Sequence, residues 1–367
     1  MSFAILGLGT ALPETRLSQA DAERVARAMC CSTPEHAELV KVLYRQTGIS
    51  SRHVLFGTDE VRDVLDGTRH TGSPYLPNGP DYPGPTTRER MRTYEEHALP
   101  LAQRAAESAL ADAGLDPKWV THIVTVSCTG FAAPGVDVRL MKRLGLRPTV
   151  ERTHVGFMGC HGALNGLRAA RAYTGADPAA RVLLVAVELC SLHYHYGWNP
   201  KRMVANALFA DGAAALVGAP APAAPDGAWR VTASGSCLFP DSEYAMTWHV
   251  GDHGFDMTLS TRVPNLIAAN LRPWAGLWLG ERGLRLPDVA SWAIHPGGPR
   301  VLTDVEQVLG LDPARTAVSR EVLGECGNMS SPTVLFLLER LRRRGAPRPC
   351  VALGFGPGLV AEAVLFR

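Results

Sequence analysis

The sequence lacks the features that mark several common protein classes. It has 8 cysteines in 367 residues and no C-x-x-C pair, so we expect no disulfide scaffold, zinc site or iron–sulfur site. Its formal net charge is only +2, which gives no reason to expect a nucleic acid or an anionic membrane as partner. No apolar run approaches the ~18–20 residues that cross a bilayer, and no basic segment precedes the first apolar residues. These absences predict a cytoplasmic protein without metal or stable membrane insertion.

The composition is that of a globular protein with two core-forming units. Hydrophobic residues make up 46% of the chain and charged residues 20%, and the length allows two cores. Gly7 and Gly9 begin a G-x-G pattern, but Leu12 stands where the third glycine of a dinucleotide-binding motif would be. The sequence therefore predicts no dinucleotide cofactor.

Cys160 is the strongest candidate for a functional residue. A glycine-punctuated apolar segment precedes it, and a helix-like stretch rich in Ala, Leu and Arg follows it. A thiol at a helix N-terminus lies near unpaired amides and the positive end of the helix dipole, which stabilise a thiolate and lower the pKa. Gly156, Gly159 and Gly162 allow a tight turn and a close approach of substrate. The alternative is a buried structural cysteine.

A strand–helix–strand pattern occurs twice along the chain at one constant offset. Strand-like runs at 121–128 and 181–188 flank the helix after Cys160, and runs at 289–296 and from Pro349 flank a second helix after Asn328. The Pro- and Ala-rich residues 218–227 lie between the copies. We predict an α/β fold of two duplicated halves, residues 1–218 and 228–367. Residues 57–90 are predicted as a surface excursion, followed by a long helix to about Ala113.

The duplication places a histidine and an asparagine beside the thiol. His295 ends a strand and is followed by Pro-Gly-Gly, and Asn328 opens the helix that corresponds to the helix of Cys160. A thiolate that attacks an acyl thioester, an imidazole and an amide donor form a workable set for covalent acyl chemistry. The alternatives are a structural histidine at position 295 and a plain helix cap at position 328.

At these residues the chain resembles the chalcone synthase-like type III polyketide synthases, which are condensing enzymes with the thiolase fold. The resemblance lies in Val126–Phe131, Gly159-Cys160, Ala207–Ala215, Ile294–Pro299, Gly327–Ser331 and Gly354–Gly358. It implies a five-layered αβαβα fold and a homodimer. It also implies iterative decarboxylative condensation of malonyl-CoA onto an acyl-CoA starter, without a cofactor other than these CoA thioesters.

The resemblance implies roles for individual residues. Cys160 would carry the growing chain, while His295 and Asn328 would bind the malonyl-CoA carbonyl and stabilise the enolate. Phe209 matches a phenylalanine at the mouth of the active site, although a buried core aromatic is the alternative, and Met257 replaces a second phenylalanine there. Cys128, Thr129 and Ala133 match cavity-lining or interface positions of the family, and His193, Trp248 and Ser330 are further substrate-binding positions.

Coenzyme A carries phosphates, so its binding site requires cations. Lys41 and Arg45 lie one turn apart on a predicted helix in the region where relatives bind the nucleotide, and Arg300 follows the His295 motif. The alternative for each is a solvated surface charge. His161, directly after the nucleophile, is unusual for the family, and it either perturbs the thiolate or faces solvent.

The stretch Trp248–Ser260 resembles microbial alkylresorcinol and alkylpyrone synthases more than the plant enzymes. It implies a fatty acyl-CoA starter and an alkylpyrone or alkylresorcinol product. One alternative is a ketoacyl synthase III-like enzyme that uses acyl carrier protein for a single condensation, against which the Gly354–Gly358 loop argues. The other is a non-catalytic acyl-binding subunit of the thiolase fold, against which the intact Cys160, His295 and Asn328 argue.

Overall fold

Thirteen strands and eleven α-helices lie within residues 3–79 and 81–367, the part of the chain that the computed structural model describes. The strands are β1 (Phe3–Ala11), β2 (Thr15–Ser18), β3 (Ser51–Val54), β4 (His122–Ser127), β5 (Glu151–Gly156), β6 (Val182–Leu189), β7 (Asp211–Pro220), β8 (Arg230–Leu238), β9 (Met246–Gly251), β10 (Gly254–Leu259), β11 (Ser291–Ile294), β12 (Cys350–Gly356) and β13 (Val360–Phe366). The helices are α1 (Gln19–Cys30), α2 (Pro34–Gln46), α3 (Thr58–Asp66), α4 (Thr87–Ala113), α5 (Val136–Leu144), α6 (Gly162–Ala176), α7 (Pro200–Leu208), α8 (Val263–Gly280), α9 (Pro299–Leu309), α10 (Ala317–Cys326) and α11 (Thr333–Arg343).

Nine of the strands form one continuous sheet in the order β11-β12-β13-β8-β1-β7-β6-β4-β5. In the first half β4 is parallel to β6, and β6 is antiparallel to β7. In the second half β11 is parallel to β12, and β12 is antiparallel to β13. The halves join in the middle, where β1 and β8 share only the pairs Phe3–Val231 and Ala4–Arg230. The repeated pairing pattern confirms the predicted duplication.

Successive side chains of a strand point to opposite faces of the sheet, and helices cover both faces of each half. Val124 and Val126 pack in a core with helices α6 and α11, whereas Ile123 between them packs on the opposite face with α4 and α5. The outer face of the second half packs against α8 and α9. The result is five layers, with α6 and α11 in the central layer, as in the thiolase fold.

The predicted strands are present with small shifts at their ends, and α4 ends at Ala113 as expected. Two helix starts differ from the sequence interpretation. Cys160 lies in a single 3-10 turn, Gly159–His161, just before α6, and α11 begins only at Thr333, so Asn328 lies in the loop before that helix. The predicted excursion contains α3, and the Asp63 carboxylate at its end accepts backbone bonds from His70 and Thr71.

Within the described ranges, none of the helices combines the length and the hydropathy that a bilayer-spanning helix requires.

Candidate active site

The turn that carries Cys160 is fixed by its neighbours. Gly159 has a left-handed backbone with φ 72°, and a Cβ there would come within 2.3 Å of Pro357 Cδ. The Gly159 amide donates to the Cys128 sulfur at 3.0 Å. These contacts require glycine at position 159 and hold Cys160 at the wall of a large cavity, to which it remains partly exposed.

Asn328 and Ser330 both donate side-chain hydrogen bonds to the Cys160 sulfur. Ser330 adopts a left-handed backbone with φ 57°, and its amide donates to Asn328 Oδ1 at 2.8 Å. Asn328 is anchored through its backbone amide, which donates to the Leu208 carbonyl at 2.9 Å. Its side chain also donates to the Gly297 carbonyl at 3.3 Å. Asn328 therefore lies beside the thiol and is not the cap of α11, which begins at Thr333.

His295 follows β11 directly and is 2% exposed. Its backbone amide donates to Leu353 at 2.7 Å, which continues the pairing of β11 with β12. Among the described residues, neither ring nitrogen has a hydrogen-bond partner. Burial lowers the pKa of His295 to about 3, with a smaller contribution from His161, so the imidazole is neutral at physiological pH. A buried imidazole with two free nitrogens is available to a substrate.

The prediction that the pKa of the Cys160 thiol is lowered is wrong. Burial raises the pKa of Cys160 to about 11, and the negative charge of Glu188 adds to the increase. The hydrogen bonds from Ser330 and Asn328 oppose this increase without overcoming it. The short turn before α6 thus stabilises the thiolate by less than burial destabilises it through the loss of hydration.

Glu188, at the end of β6, was not identified as a site residue from the sequence. Its carboxylate is fully buried and accepts hydrogen bonds from the Cys128 amide at 2.9 Å, the Thr129 hydroxyl at 2.8 Å and the Ser331 hydroxyl at 2.6 Å. Burial raises the pKa of Glu188 to about 7. Through these hydrogen bonds, the carboxylate connects the end of β6 and the residues after β4 with the loop that contains Asn328. The signal in the sequence was a single charge in an otherwise apolar strand.

His161 does not face solvent, which excludes one of its two interpretations. The residue is 3% exposed, and its Nδ1 lies 2.8 Å from Asn165 Oδ1. Asn165 in turn donates to Glu362 at 3.1 Å, which orients the amide so that its oxygen accepts from His161. Burial lowers the pKa of His161. A Cβ at Gly356 would meet the ring at 2.5 Å, so this glycine makes room for it.

A cavity of about 1300 Å³, counted with its open mouth, begins at Cys160. The predicted positions that line it are Cys128, Thr129, His193, Phe209, Trp248, Met257 and Ser330. Phe209 is half-buried at the wall and is therefore not a plain core residue. Ala133 is exposed in the loop before Pro134 and does not contribute to the lining, so its role stays a prediction.

One wall of the cavity is built from three stacked and edge-on rings. The His193 and Phe255 rings stack at 4.0 Å, and Trp248 meets both edge-on at 5.7 Å. His193 Nε2 donates to the Thr129 carbonyl at 2.7 Å, and its Nδ1 accepts from the Phe255 amide at 3.0 Å. Burial lowers the pKa of His193 to about 3, which keeps this neutral tautomer. The Trp248 indole donates to the Cys128 carbonyl at 2.8 Å, so the wall is fixed on both sides.

The cavity continues into a chamber between α1 and α3 that the sequence did not reveal. We call it the α1–α3 chamber; it is lined by Leu17, Ala22, Val25, Met29, Tyr44, Val54, Phe56, Val61, Val64, Tyr75, Leu76 and Tyr194. These residues come from separate helices, strands and loops of the chain. No local pattern distinguishes a side chain that packs against a core from one that faces a cavity.

The predicted CoA-binding cations lie outside this lining. Lys41 and Arg45 are both on α2, where Lys41 lies 3.4 Å from Glu38 and Arg45 is exposed. Arg300 is exposed near the start of α9, with its Nε 4.0 Å from Asp304. Their contact with a nucleotide stays a prediction.

In a comparison with known protein families, both halves of the chain match models of a single family. Residues 2–222 match the family model for the N-terminal domain of chalcone and stilbene synthases, and residues 230–367 match the model for the C-terminal domain. Among residues 3–79 and 81–367 there is no cluster of three or more His, Cys, Asp or Glu side chains arranged to hold a metal ion.

Individual relatives are similar to this protein over nearly the whole chain. The alpha-pyrone synthesis polyketide synthase-like Pks18 of Mycobacterium tuberculosis is 33% identical over 99% of this chain and 90% of its own length. The 1,3,6,8-tetrahydroxynaphthalene synthase of Streptomyces peucetius is 32% identical over 99% of this chain and 93% of its own. The crystal structure of PKS-I from the brown alga Ectocarpus siliculosus superimposes with a TM-score of 0.90 at 34% identity, covering 100% of this chain and 98% of the other.

Proposed function

This chain belongs to the chalcone and stilbene synthase family, the type III polyketide synthases, and we propose that it extends a fatty acyl-CoA starter with malonyl-CoA to an alkylpyrone or alkylresorcinol. Members of the family are acyl-transferring condensing enzymes that use CoA thioesters and no separate cofactor. The halves of the chain, proposed as residues 1–218 and 228–367, contribute Cys160 on one side and His295 with Asn328 on the other.

The observation that carries this proposal is the apolar cavity that begins at Cys160. A chain covalently attached to this thiol has an apolar volume to enter, and each buried methylene contributes up to about 0.8 kcal/mol. The printed name of the similar mycobacterial protein, with its alpha-pyrone synthesis, is consistent with such a product.

In the loading step, the Cys160 sulfur attacks the carbonyl carbon of the starter thioester. The thiol proton passes to a free nitrogen of His295, which is neutral and unprotonated at that atom in the resting site. The bond to the CoA sulfur breaks, and the imidazolium returns the proton to the departing CoA thiolate. Cys160 then carries the acyl group as a thioester, with its tail in the cavity.

In the extension step, malonyl-CoA places its thioester carbonyl against His295 and the Asn328 amide. Loss of carbon dioxide leaves negative charge on that carbonyl oxygen, which these two donors stabilise. The enolate carbon attacks the acyl group on Cys160, the bond to sulfur breaks, and Cys160 leaves as a thiolate, which takes up one proton from solvent. The lengthened chain is then a CoA thioester, ready for transfer back to Cys160.

We also propose a homodimer. Phe131, Phe157 and Met158 are large apolar residues that are 36–50% exposed close to the active site, and the rings of Phe131 and Phe157 lie 6.0 Å apart. An exposed apolar cluster of this kind fits a protein interface. Light scattering should give twice the chain mass, and Phe131→Glu should shift the protein toward the monomer, whereas the exposed Leu277→Glu on α8 serves as the control.

The starter assignment is tested by incubating the protein with malonyl-CoA and acyl-CoA starters of increasing length, with mass spectrometry of the products. Fatty acyl starters should outcompete coumaroyl-CoA, and the products should be alkylpyrones or alkylresorcinols. A naphthalene-type product from malonyl-CoA alone would instead place the chain with the tetrahydroxynaphthalene synthases. A single condensation that requires acyl carrier protein would favour the ketoacyl synthase III-like alternative.

A further inference from the structure

We propose that the alkyl tail of the starter leaves Cys160 past Cys190 and Ser191, enters the α1–α3 chamber, and ends against Val61 and Val64 of α3. This route rests on the proposed function, since it presumes an acyl group on Cys160. It differs from the route along the loop of Cys128 and Ala133, and it names α3 as the element that limits starter length.

The side toward the 128–134 loop is closed by the ring wall. Both nitrogens of His193 and the indole nitrogen of Trp248 are bonded to backbone atoms, so neither ring turns aside without losing a buried hydrogen bond. Phe255 is fully buried and contacts both rings. A tail directed toward Ala133 would have to displace this wall.

The opposite side is bounded by small side chains. Cys190 and Ser191 follow β6 in a 3-10 turn and line the cavity. The Ser191 hydroxyl donates to the buried Asp211 carboxylate, and the Ser191 amide donates to the same carboxylate at 2.7 Å. Because the Asp211 carboxylate accepts hydrogen bonds from both the hydroxyl and the amide of Ser191, these polar groups are already paired. The passage beside Ser191 is therefore suited to an alkyl chain.

The α1–α3 chamber beyond this passage suits a tail without polar groups. The hydroxyls of Tyr44 and Tyr194 lie 3.3 Å apart and pair with each other. Most of the other lining side chains are aliphatic or aromatic; the charged exceptions are Glu60 and the buried Arg52, whose guanidinium donates to the carbonyls of Asn206 and Phe209. At the far end Val25, Val61 and Val64 are only half-buried, so the chamber ends close to the protein surface between the two helices.

A photoaffinity experiment tests the route directly. Dodecanoyl-CoA with a diazirine at its terminal carbon is loaded onto the intact protein, irradiated, and mapped by peptide mass spectrometry. We expect an acyl adduct on Cys160 and cross-links to peptides of α1 or α3. Cross-links confined to residues 128–138 would overturn the route alone. Failure of any fatty acyl group to load onto Cys160 would overturn the proposed starter class as well.

Substitution on α3 tests the length limit. Val64→Trp fills the far end of the chamber, so each methylene that no longer fits should lower kcat/KM by up to about fourfold. The ratio of dodecanoyl-CoA to hexanoyl-CoA turnover is the readout, because a general folding defect lowers both rates together. Leu65→Trp is the matched control, since Leu65 is half-buried on the same helix but outside the lining. An unchanged ratio in Val64→Trp, or an equal change in the control, would contradict the assignment.

Discussion

The two halves of the molecule repeat one scaffold and place different chemistry on it. In the first half, the turn between β5 and α6 presents Cys160, and in the second half the loop between α10 and α11 presents Asn328 and Ser330. Both sites lie at the central helix layer, and the second half contributes His295 from the end of β11. The backbone duplication brings the two loops together, whereas the side chains differ: the first half presents a thiol, and the second half presents an amide and an imidazole.

The two halves also differ in how their polar groups are satisfied. The Cys160 sulfur receives hydrogen bonds from Asn328 and Ser330, yet burial still raises its pKa to about 11. His295 has no partner for either ring nitrogen within the described residues. The first half therefore holds a protonated thiol, and the second half holds an unprotonated base. This difference predicts that loss of the thiol stops the covalent step and spares decarboxylation, whereas loss of His295 impairs both steps.

Removal of the nucleophile should give the largest effect. Cys160→Ala is expected to abolish condensation, because the chain loses its point of attachment, and to leave some malonyl-CoA decarboxylation, which needs the donors and not the thiol. Product formation and release of carbon dioxide are measured separately. Cys237→Ala, on β8 and outside the cavity, should keep both activities. Condensation that survives in Cys160→Ala would sink the assignment of the nucleophile.

Loss of the base should impair both half-reactions. His295→Gln is expected to reduce starter loading and decarboxylation by about 10²–10³, because an amide cannot take the thiol proton and replaces the donor poorly. Acylation of Cys160 is followed by intact-protein mass spectrometry, and decarboxylation by acetyl-CoA release. His249→Gln, at an exposed position on β9, is the control. Normal loading in His295→Gln would show that another group accepts the proton.

Removal of the second donor should separate the half-reactions. Asn328→Ala is expected to lower decarboxylation by about 10–10² and starter loading by less, because the amide stabilises the enolate more than it assists attack by sulfur. Asn270→Ala on α8, whose side chain donates to the Leu266 carbonyl, is the matched control. Equal losses in both half-reactions would mean that Asn328 has only a structural role.

The last prediction concerns the protonation state of the Cys160 thiol and changes no residue. With a pKa of about 11, Cys160 is protonated below that pH, so its rate of alkylation by iodoacetamide should rise roughly tenfold per pH unit between pH 7 and pH 9. Peptide mapping follows Cys160 and the half-buried Cys237 in the same samples. A rate at Cys160 that is already constant above about pH 6 would show a thiolate paired with an imidazolium and would contradict the neutral pair.

The sequence predicted the elements well where hydrophobic periodicity was strong. The runs 121–128 and 181–188 are β4 and β6, and the constant offset between repeats led to β11 and β12. The same periodicity placed the starts of the helices too early at Cys160 and Asn328, because loop residues with left-handed backbones, such as Gly159 and Ser330, precede the helices. Glu188 was missed as a site residue, since one carboxylate in a strand gives no indication of the three hydroxyl and amide donors that meet it.

The sequence alone determined the duplicated α/β architecture and the identity of Cys160, His295 and Asn328 as candidates, because strand and helix patterns and short motifs are local properties of the chain. Only the tertiary structure decided the protonation states and the course of the cavity. Burial, which depends on distant segments, raises the pKa of Cys160 and lowers that of His295. The α1–α3 chamber likewise exists only where α1, α3 and the Cys190 turn meet, because an enclosed volume is shaped by segments that are far apart in sequence.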